Sequence, residues 1–445
     1  MHYSTSLVAA LAATAIAAPT FDVRSLKTDL TALLNKIGVS LQTNGNAHGS
    51  VSGAVTFTFP KVNLSPKRFS HPITWPKGCS GQNYMNWSTF KANGVNLGAW
   101  LEQERTHDPV WWDSHAPGTI DEWNFCATLG DQCGPVLEER YATFITTADI
   151  DKLAAVGINV LRIPTTYAAW VKVPGSNFYT GNQQLYLSKI SKYAIEKYNM
   201  HVIIGLHSLP GGVNSLDIGE GFGRKGWFNN ATNLDYSFQA IDAMLSFIKK
   251  SGHMNAFTVA PLNEASDNLD GFGSAAGLTA NGTNWINTYI KGVLAKVGKV
   301  DKRIPVMLQD CFEGADYWAP FYDAGTNLVI DSHVYYFAAS GVYSQYVAPA
   351  ICGQASALPG AGKFPVFVGE WALQTMYNNT YANRKTIFDT QRYAWQKYVS
   401  GGAFWTGRSL ATTAVDGEGT QEDYWSYIGL INAGVITSQT SSSYC

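Results

Sequence analysis

From Gly94 onward the chain alternates short apolar runs with longer stretches of helical periodicity, and this constrains its fold more than any other feature. Eight runs read as strands: residues 94–101, 157–164, 201–207, 256–264, 304–310, 328–333, 364–370 and 401–405. The intervals between them carry apolar residues at helical spacing, as in 146–156 with Ile150, Leu153 and Ala154, and in 184–198, 236–250 and 283–297. Parallel strands need crossover connections, and strand–helix units repeated in this number close on themselves. The prediction is an α/β protein, a single (β/α)8 barrel with an N-terminal extension. No internal repeat or heptad pattern competes with it.

Polar residues with chemical capability end these runs. Glu104 follows the first shortly, then come Arg162, His207, Asn263 with Glu264, Asp310, His333 with Tyr335, Glu370 and Trp405. A barrel brings all C-terminal strand ends to one rim, where substrates bind. Glu264, in Ala-Pro-Leu-Asn-Glu, and Glu370, in Val-Phe-Val-Gly-Glu-Trp, then face each other from the fourth and seventh strands. Paired carboxyls of this kind cleave glycosidic bonds. A separation of about 5 Å permits double displacement with retention, whereas about 6.5 to 9.5 Å leaves room for an inverting water; the short separation is expected. Glu370 is then the nucleophile and Glu264 the acid that protonates the leaving oxygen and later the base that activates water. Asn263 is placed to bind a sugar 2-hydroxyl, Arg162 to hold Glu370 ionised and Tyr335 to donate to it, with His207 and His333 reading hydroxyls and Trp405 as a stacking floor.

Two other motifs fail on context. Gly221-Phe-Gly-Arg-Lys-Gly226 matches a dinucleotide-binding pattern in form but lies well past its strand and opens no clear helix. His207, His333 and the two glutamates lack local metal-ligand spacing, so neither a metal nor a cofactor is expected.

Composition narrows the partners. The net charge is -2 and only 14% of residues are charged, so no basic stripe addresses nucleic acid and no polybasic cluster addresses a membrane. Aromatics reach 13%, with 14 Trp and 23 Tyr, which suits a site that stacks sugar rings. Residues 1–17 read as a secretory signal, 18–83 as an extension or propeptide with a dibasic Lys67-Arg68, and 84–445 as the catalytic domain. Five glycosylation sequons, at Asn63, Asn86, Asn230, Asn281 and Asn378, agree with a secreted product, extracellular or in a cell wall. Six cysteines allow fifteen pairings and include no Cys-X-X-Cys.

The chain resembles glycoside hydrolase family 5, and within it the fungal secreted exo-β-1,3-glucanases. The resemblance rests on Gly94-Val-Asn-Leu-Gly-Ala-Trp, Phe125-Cys-Ala-Thr-Leu-Gly, Asn159-Val-Leu-Arg-Ile-Pro, Leu206-His-Ser-Leu-Pro-Gly-Gly-Val-Asn, Leu262-Asn-Glu, Asp331-Ser-His-Val-Tyr and Val368-Gly-Glu-Trp, in that order. It implies Glu264 as acid/base, Glu370 as nucleophile, retention, no cofactor, and Glu104, Arg162, His207, Asn263, His333, Tyr335 and Trp405 around the glucose. It also implies a disulfide between Cys352 and Cys445, to which we add Cys126 with Cys133. Departures concern the second sugar: Ala265 follows Glu264 in place of the usual proline, Gly-Gly-Trp becomes Gly98-Ala99-Trp100, Leu216 replaces a clamping phenylalanine, and Trp-Lys becomes Gly407-Arg408.

The expectation is a monomeric, secreted, retaining exo-β-1,3-glucosidase acting on β-glucan or β-glucosides. A rutinosidase-like disaccharide-releasing specificity and a β-1,6-glucanase are the alternatives within the family, and a noncatalytic carbohydrate-binding barrel the alternative outside it. The insert between Glu104 and Ala142 is long enough to close an exo-type pocket.

Overall fold

A computed structural model of the chain describes residues 83–438 and 444–445. The expected signal peptide, nearly all of the extension, Asn63, Lys67-Arg68 and Cys79 lie outside the described residues.

Eight parallel strands follow one another in sequence order and close, the first pairing with the last. They are β1 (Ala92–Asn96), β2 (Val160–Thr165), β3 (His201–Leu206), β4 (Phe257–Ala260), β5 (Val306–Gln309), β6 (Leu328–Tyr336), β7 (Val366–Thr375) and β8 (Gly401–Phe404). The outer helices are α1 (Thr147–Ala155), α2 (Gln183–Tyr198), α3 (Ala231–Ser251), α4 (Ala280–Asp301), α5 (Ala315–Trp318), α6 (Val347–Ala357), α7 (Tyr381–Tyr398) and α8 (Tyr427–Asn432). The expected (β/α)8 barrel is present, with all eight strands where the apolar runs stand.

Local chemistry sets the helix ends. Asn230 caps α3 by accepting from the Asn233 N–H at 3.1 Å, and Gly252 stops it at φ 74°. That start lies five residues beyond Gly226, so the Gly221–Gly226 pattern opens no helix. Thr279 caps α4 through the Gly282 N–H at 3.1 Å. Helices α3 and α4 extend beyond the 236–250 and 283–297 windows, because capped polar first turns carry no apolar signal.

Side chains alternate along each strand, and the inward set changes character with height. At the N-terminal end Ala92, Val160, Ile203, Ala260, Met307, Val329, Phe367 and Ala403 form an apolar plug with Trp87 beneath it. Two residues further along β2 the inward position is Arg162, and along β6 it is Asp331 and then His333. The plug below and the polar layer above are therefore one periodicity, read from the bottom of the barrel to its mouth.

The insert after β1 holds three more helices, Pro109–His115, Glu122–Leu129 and Cys133–Thr143, pinned by the Cys126–Cys133 disulfide. Asp108 ties them together by accepting from Trp111 N at 3.2 Å and Arg140 Nη1 at 2.6 Å. Cys352 on α6 bonds Cys445, as the resemblance implied. This bridge spans a sequence separation of 93 residues. Cross-linking a loop of that length removes about 4 kcal/mol of chain entropy from the unfolded state. Cys352→Ser is expected to lower the unfolding free energy by up to that amount while leaving the barrel assembled, as read by chemical denaturation and circular dichroism.

Candidate active site

The site is built around one buried cation. Arg162 points up the barrel axis from β2 and is 1% exposed. Its Nη1 donates to Asn96 Oδ1 at 2.9 Å and to Glu370 Oε1 at 2.8 Å, and its Nη2 donates to Asn263 Oδ1 at 2.9 Å. Asp331 Oδ2 lies 3.5 Å from the same Nη2. A guanidinium offers donors in a planar fork, which is why it can hold four strand ends in fixed relation.

Glu370 reaches this cluster through a break in the ladder. The β6–β7 register runs Asp331 with Phe367 and Ser332 with Val368, then His333 with Glu370. One residue of β7, Gly369, is therefore unmatched, and the extra residue re-aims the side chains beyond it. Without it, Phe367 inside the barrel would force Glu370 to the outer face. Asn96 Nδ2 catches the Gly369 carbonyl at 2.8 Å and also donates to Ala403 O at 3.0 Å. A Cβ on Gly369 would lie 1.8 Å from Asp331 Oδ1, so only glycine fits beside that carboxylate.

Glu264 follows β4 with φ 43°, in the left-handed region. The β3–α3 loop holds it there: Asn214 Nδ2 donates to Glu264 O at 3.1 Å and Ser266 N donates to Val213 O at 2.9 Å. The two carboxyls meet across His333, and one oxygen of each, with a His333 ring nitrogen, lie within 4.8 Å of one another. His333 Nδ1 is 2.6 Å from Glu264 Oε1 and 3.4 Å from Glu370 Oε2, while its Nε2 faces Asp331 Oδ2 at 3.7 Å. Burial alone would lower its pKa, but the carboxylates of Glu370, Asp331 and Glu264 hold it up at about 10. His333 is thus an imidazolium with both ring nitrogens committed to the cluster.

Tyr335, two residues on and on the same face of β6, donates to Glu370 Oε2 at 2.8 Å and stacks on Trp425 at 5.4 Å. Desolvation pushes the Glu370 carboxyl up; His333 and Arg162 oppose it, Glu264 adds to it, and the Tyr335 hydroxyl also opposes it.

The floor lies opposite. Trp405 follows β8 and stacks on His207 at 5.4 Å with planes 17° apart. Its Nε1 donates to His107 Nε2 at 2.8 Å. Burial drives His207 well below its ordinary pKa, so the ring is neutral, and its Nε2 lies 3.3 Å from Asn263 Nδ2. A Cβ on Gly98 would come within 2.7 Å of the Trp405 ring, which accounts for glycine there. Ala99 takes φ 55°. Glu104 Oε2 approaches His107 Nε2 at 3.5 Å.

The nine residues given site roles from the sequence converge at the C-terminal rim, and the tenth run-ending residue, Asp310, accepts from Ser332 Oγ at 2.6 Å. The sequence reading left Asn96, Asp331 and His107 without roles. Asn96 and Asp331 stand inside quoted motifs, and their inward register was available as a signal. His107 comes from the insert, where nothing in the sequence marks it.

A closed (β/α)8 barrel carrying paired carboxyls and an aromatic floor at its C-terminal rim is the frame of a glycoside hydrolase. The family model described as cellulase (glycosyl hydrolase family 5) matches residues 131–407. The chain belongs to glycosyl hydrolase family 5. Among solved structures it is similar to the crystal structure of rutinosidase from Aspergillus niger, at 49% identity and a TM-score of 0.79, covering 80% of this chain and 100% of that one. Among curated relatives it is 30% identical to a probable glucan 1,3-beta-glucosidase A of Aspergillus niger, over 62% of this chain and 64% of that protein. The counterpart from Aspergillus fumigatus is 31% identical, over 66% of this chain and 73% of that protein. The chain thus spans 64% of the length of the first of these relatives.

Gly369→Ala is expected to displace Asp331 and with it Arg162 and Glu370. A shift of about 1 Å at reacting groups costs on the order of a hundredfold in rate. The variant should fold, judged by circular dichroism, and lose at least that factor in kcat.

Proposed function

We propose that the protein is a retaining β-glycosidase that works from the non-reducing end and releases a disaccharide of the rutinose type from its glycosides. The observation that carries the mechanism is the approach of the Glu264 and Glu370 oxygens to within 4.8 Å, the spacing of a double displacement. Charge balance supports the roles. Arg162 and His333 bring positive charge against the carboxyls of Asp331, Glu370 and Glu264. Glu370, touching both cations and the Tyr335 hydroxyl, is the group to leave ionised, although burial opposes this. The acid/base role then falls to Glu264, the other carboxyl of the pair.

In the first step a Glu370 oxygen attacks the anomeric carbon as Glu264 gives its proton to the departing oxygen. In the second, Glu264 takes a proton from water, the water oxygen bonds to the anomeric carbon, and the bond to Glu370 breaks. Asn263 is oriented by Arg162 and His207 to meet the 2-hydroxyl.

The disaccharide specificity draws on the 49% identity to the rutinosidase structure over the whole of that chain, against 30 to 31% to the glucan glucosidases. It agrees with the departures at Leu216 and Gly98-Ala99, which alter the surroundings of a second sugar. The second reading, release of glucose from β-1,3-glucan, draws on those curated relatives. The insert supports exo action in either case: it supplies His107 to the floor, and its Asp121 Oδ2 accepts from Phe222 N of the β3–α3 loop at 3.0 Å. Secretion and a monomeric state are part of the same proposal. The sequon residues Asn86, Asn281 and Asn378 are exposed, and no helix among the described residues is long and apolar enough to cross a membrane.

Incubation with rutin and with laminarin, followed by chromatography and anomeric NMR, decides the substrate. Rutinose of initial β-configuration is the expected product; β-glucose from laminarin with rutin untouched would replace the specificity and leave the mechanism standing. For the roles, Glu264→Ala should accumulate glycosyl-enzyme on an aryl glycoside and be rescued by azide with a β-glycosyl azide product. Hydrolysis at the wild-type rate would remove Glu264 from catalysis.

A further inference from the structure

The insert after β1 is tied to the barrel's rim by two adjacent carboxyls that the double displacement does not use. Asp121 and Glu122 stand at the start of the insert helix Glu122–Leu129, and both are buried. They reach different elements. Glu122 Oε2 accepts from Gln103 N at 2.7 Å, on the segment that leaves β1 and carries Glu104. That segment is irregular chain: β1 ends at Asn96, and beyond it single bridges join Leu101 to Thr165 and Glu104 to Asp121. Gln103 Nε2 braces it from within by donating to Trp100 O at 2.6 Å.

Asp121 turns the other way. Its Oδ1 accepts from Asn124 N at 2.7 Å and so caps the helix, while its Oδ2 accepts from Asn124 Nδ2 at 2.8 Å and from Phe222 N of the β3–α3 loop at 3.0 Å. Around that bond the loop lies on Trp123: Arg224 Cζ sits 3.8 Å from the ring centre, and a Cβ on Gly221 would come within 3.0 Å of Trp123 Cβ. The start of the Gly221–Gly226 pattern is thus the loop's docking face on the insert. From Phe222 the contacts run on toward Glu264. Gly223 N donates to Ser215 O at 2.9 Å, and Asn214, the residue before Ser215, holds Glu264 O at 3.1 Å.

We propose that Asp121 and Glu122 are positioning residues with separate targets: Glu122 fixes Glu104 against the glycone through the Gln103 N–H, and Asp121 fixes Glu264 against the leaving group through the β3–α3 loop. Both act through other residues. An acceptor that holds a backbone N–H in irregular chain replaces the ladder that a strand would supply. Glu104 needs this support because it lies beyond the end of β1. Glu264 needs it because its φ of 43° is unfavourable for a residue with a side chain and persists only when the surroundings impose it. Burial lifts Glu122 to about 8; the Gln103 N–H opposes this and Asp121 adds to it. Below that pH the carboxyl is neutral, so a glutamine reproduces both its shape and its acceptor.

The inference rests on the glycosidase reading of the pocket but not on which sugar is released, so its test uses the phenyl and 2,4-dinitrophenyl β-glycosides of whichever sugar the wild type frees. The readout is kcat/KM on both, with melting temperatures alongside. Phenol is a poor leaving group and depends on the acid far more than dinitrophenol does. Glu122→Met, which fills the space without an acceptor, should lower kcat/KM about tenfold on both substrates, chiefly by raising KM. Glu122→Gln should stay within about threefold of wild type. In a Glu104→Ala background Glu122→Met should cost nothing further, since the two act as one unit. Asp121→Ser keeps an oxygen for the helix cap but has none for Phe222 N; it should lose about tenfold on the phenyl glycoside and less than about threefold on the dinitrophenyl one. The inference is overturned if Asp121→Ser loses the same factor on both substrates or nothing on either. It is equally overturned if the Glu122→Met loss depends on the leaving group or persists without Glu104, or if Glu122→Gln is as impaired as Glu122→Met with an unchanged melting temperature. Glucose released in place of rutinose, with these patterns intact, would sink the disaccharide proposal alone.

Discussion

One guanidinium sets the geometry of this barrel's mouth. Arg162 is buried, and a buried charge is tolerated only when its partners are close and correctly placed. Those partners are Asn96 at the end of β1, Asn263 just beyond β4, and Asp331 and Glu370 within β6 and β7. Moving any of them leaves a donor unmatched in a place water does not reach, so half of the barrel's strand ends are held in register by one side chain. A lysine could not do this, because a single ammonium lacks the fork that meets several acceptors in one plane. The catalytic spacing follows from satisfying this cation, and the apolar plug of Val160, Ile203, Met307 and Phe367 beneath it supplies the rigid, dry base on which it stands.

The bulge at Gly369 depends on the same cluster. Phe367 must face inward to fill the plug, yet Glu370 must also face inward to meet Arg162. A strand of period two cannot satisfy both over three residues. The extra residue resolves the conflict, and Asn96, itself fixed by Arg162, satisfies the carbonyl that the bulge frees. Glycine is demanded at that point by the proximity of Asp331, and its φ plays no part. Glu370, bulge and buried arginine are thus one construction.

Much of this was legible in the sequence, for reasons that differ by element. The barrel was legible because buried parallel strands and amphipathic helices leave different periodicities. On β6 the site was legible too, since Asp331, His333 and Tyr335 share one face by simple alternation. On β7 it was not: the motif Val-Gly-Glu-Trp marks Glu370, but alternation from Phe367 points it outward, and only the pairing partner reveals the slip. Strand boundaries erred in an informative way. The first run was read to Leu101, whereas β1 ends at Asn96, because Leu97, Trp100 and Leu101 are buried in irregular chain and apolar content cannot tell a buried loop from a strand. β6 and β7 were read as stopping at His333 and Glu370 but continue to Tyr336 and Thr375, the ladder running past the functional residues.

The pocket holds two groups of acids under opposite electrostatic conditions, and the contrast bears on how a glycoside is bound and broken. Around Glu370 and Asp331 the cations Arg162 and His333 balance the charge, so that a carboxylate can persist where a nucleophile is needed. Around Glu102, Glu122 and Asp217 no ion pair with an arginine, lysine or histidine is present among the described residues, and burial raises all three. Burial thus favours the protonated form of Glu102, Glu122 and Asp217, while Arg162 and His333 oppose that effect at Glu370. The developing oxocarbenium charge instead meets an oriented carboxylate held by fixed donors, which cost no reorganisation during the reaction. Arg162 on β2 and His333 on β6 supply the cations that oppose burial at Glu370.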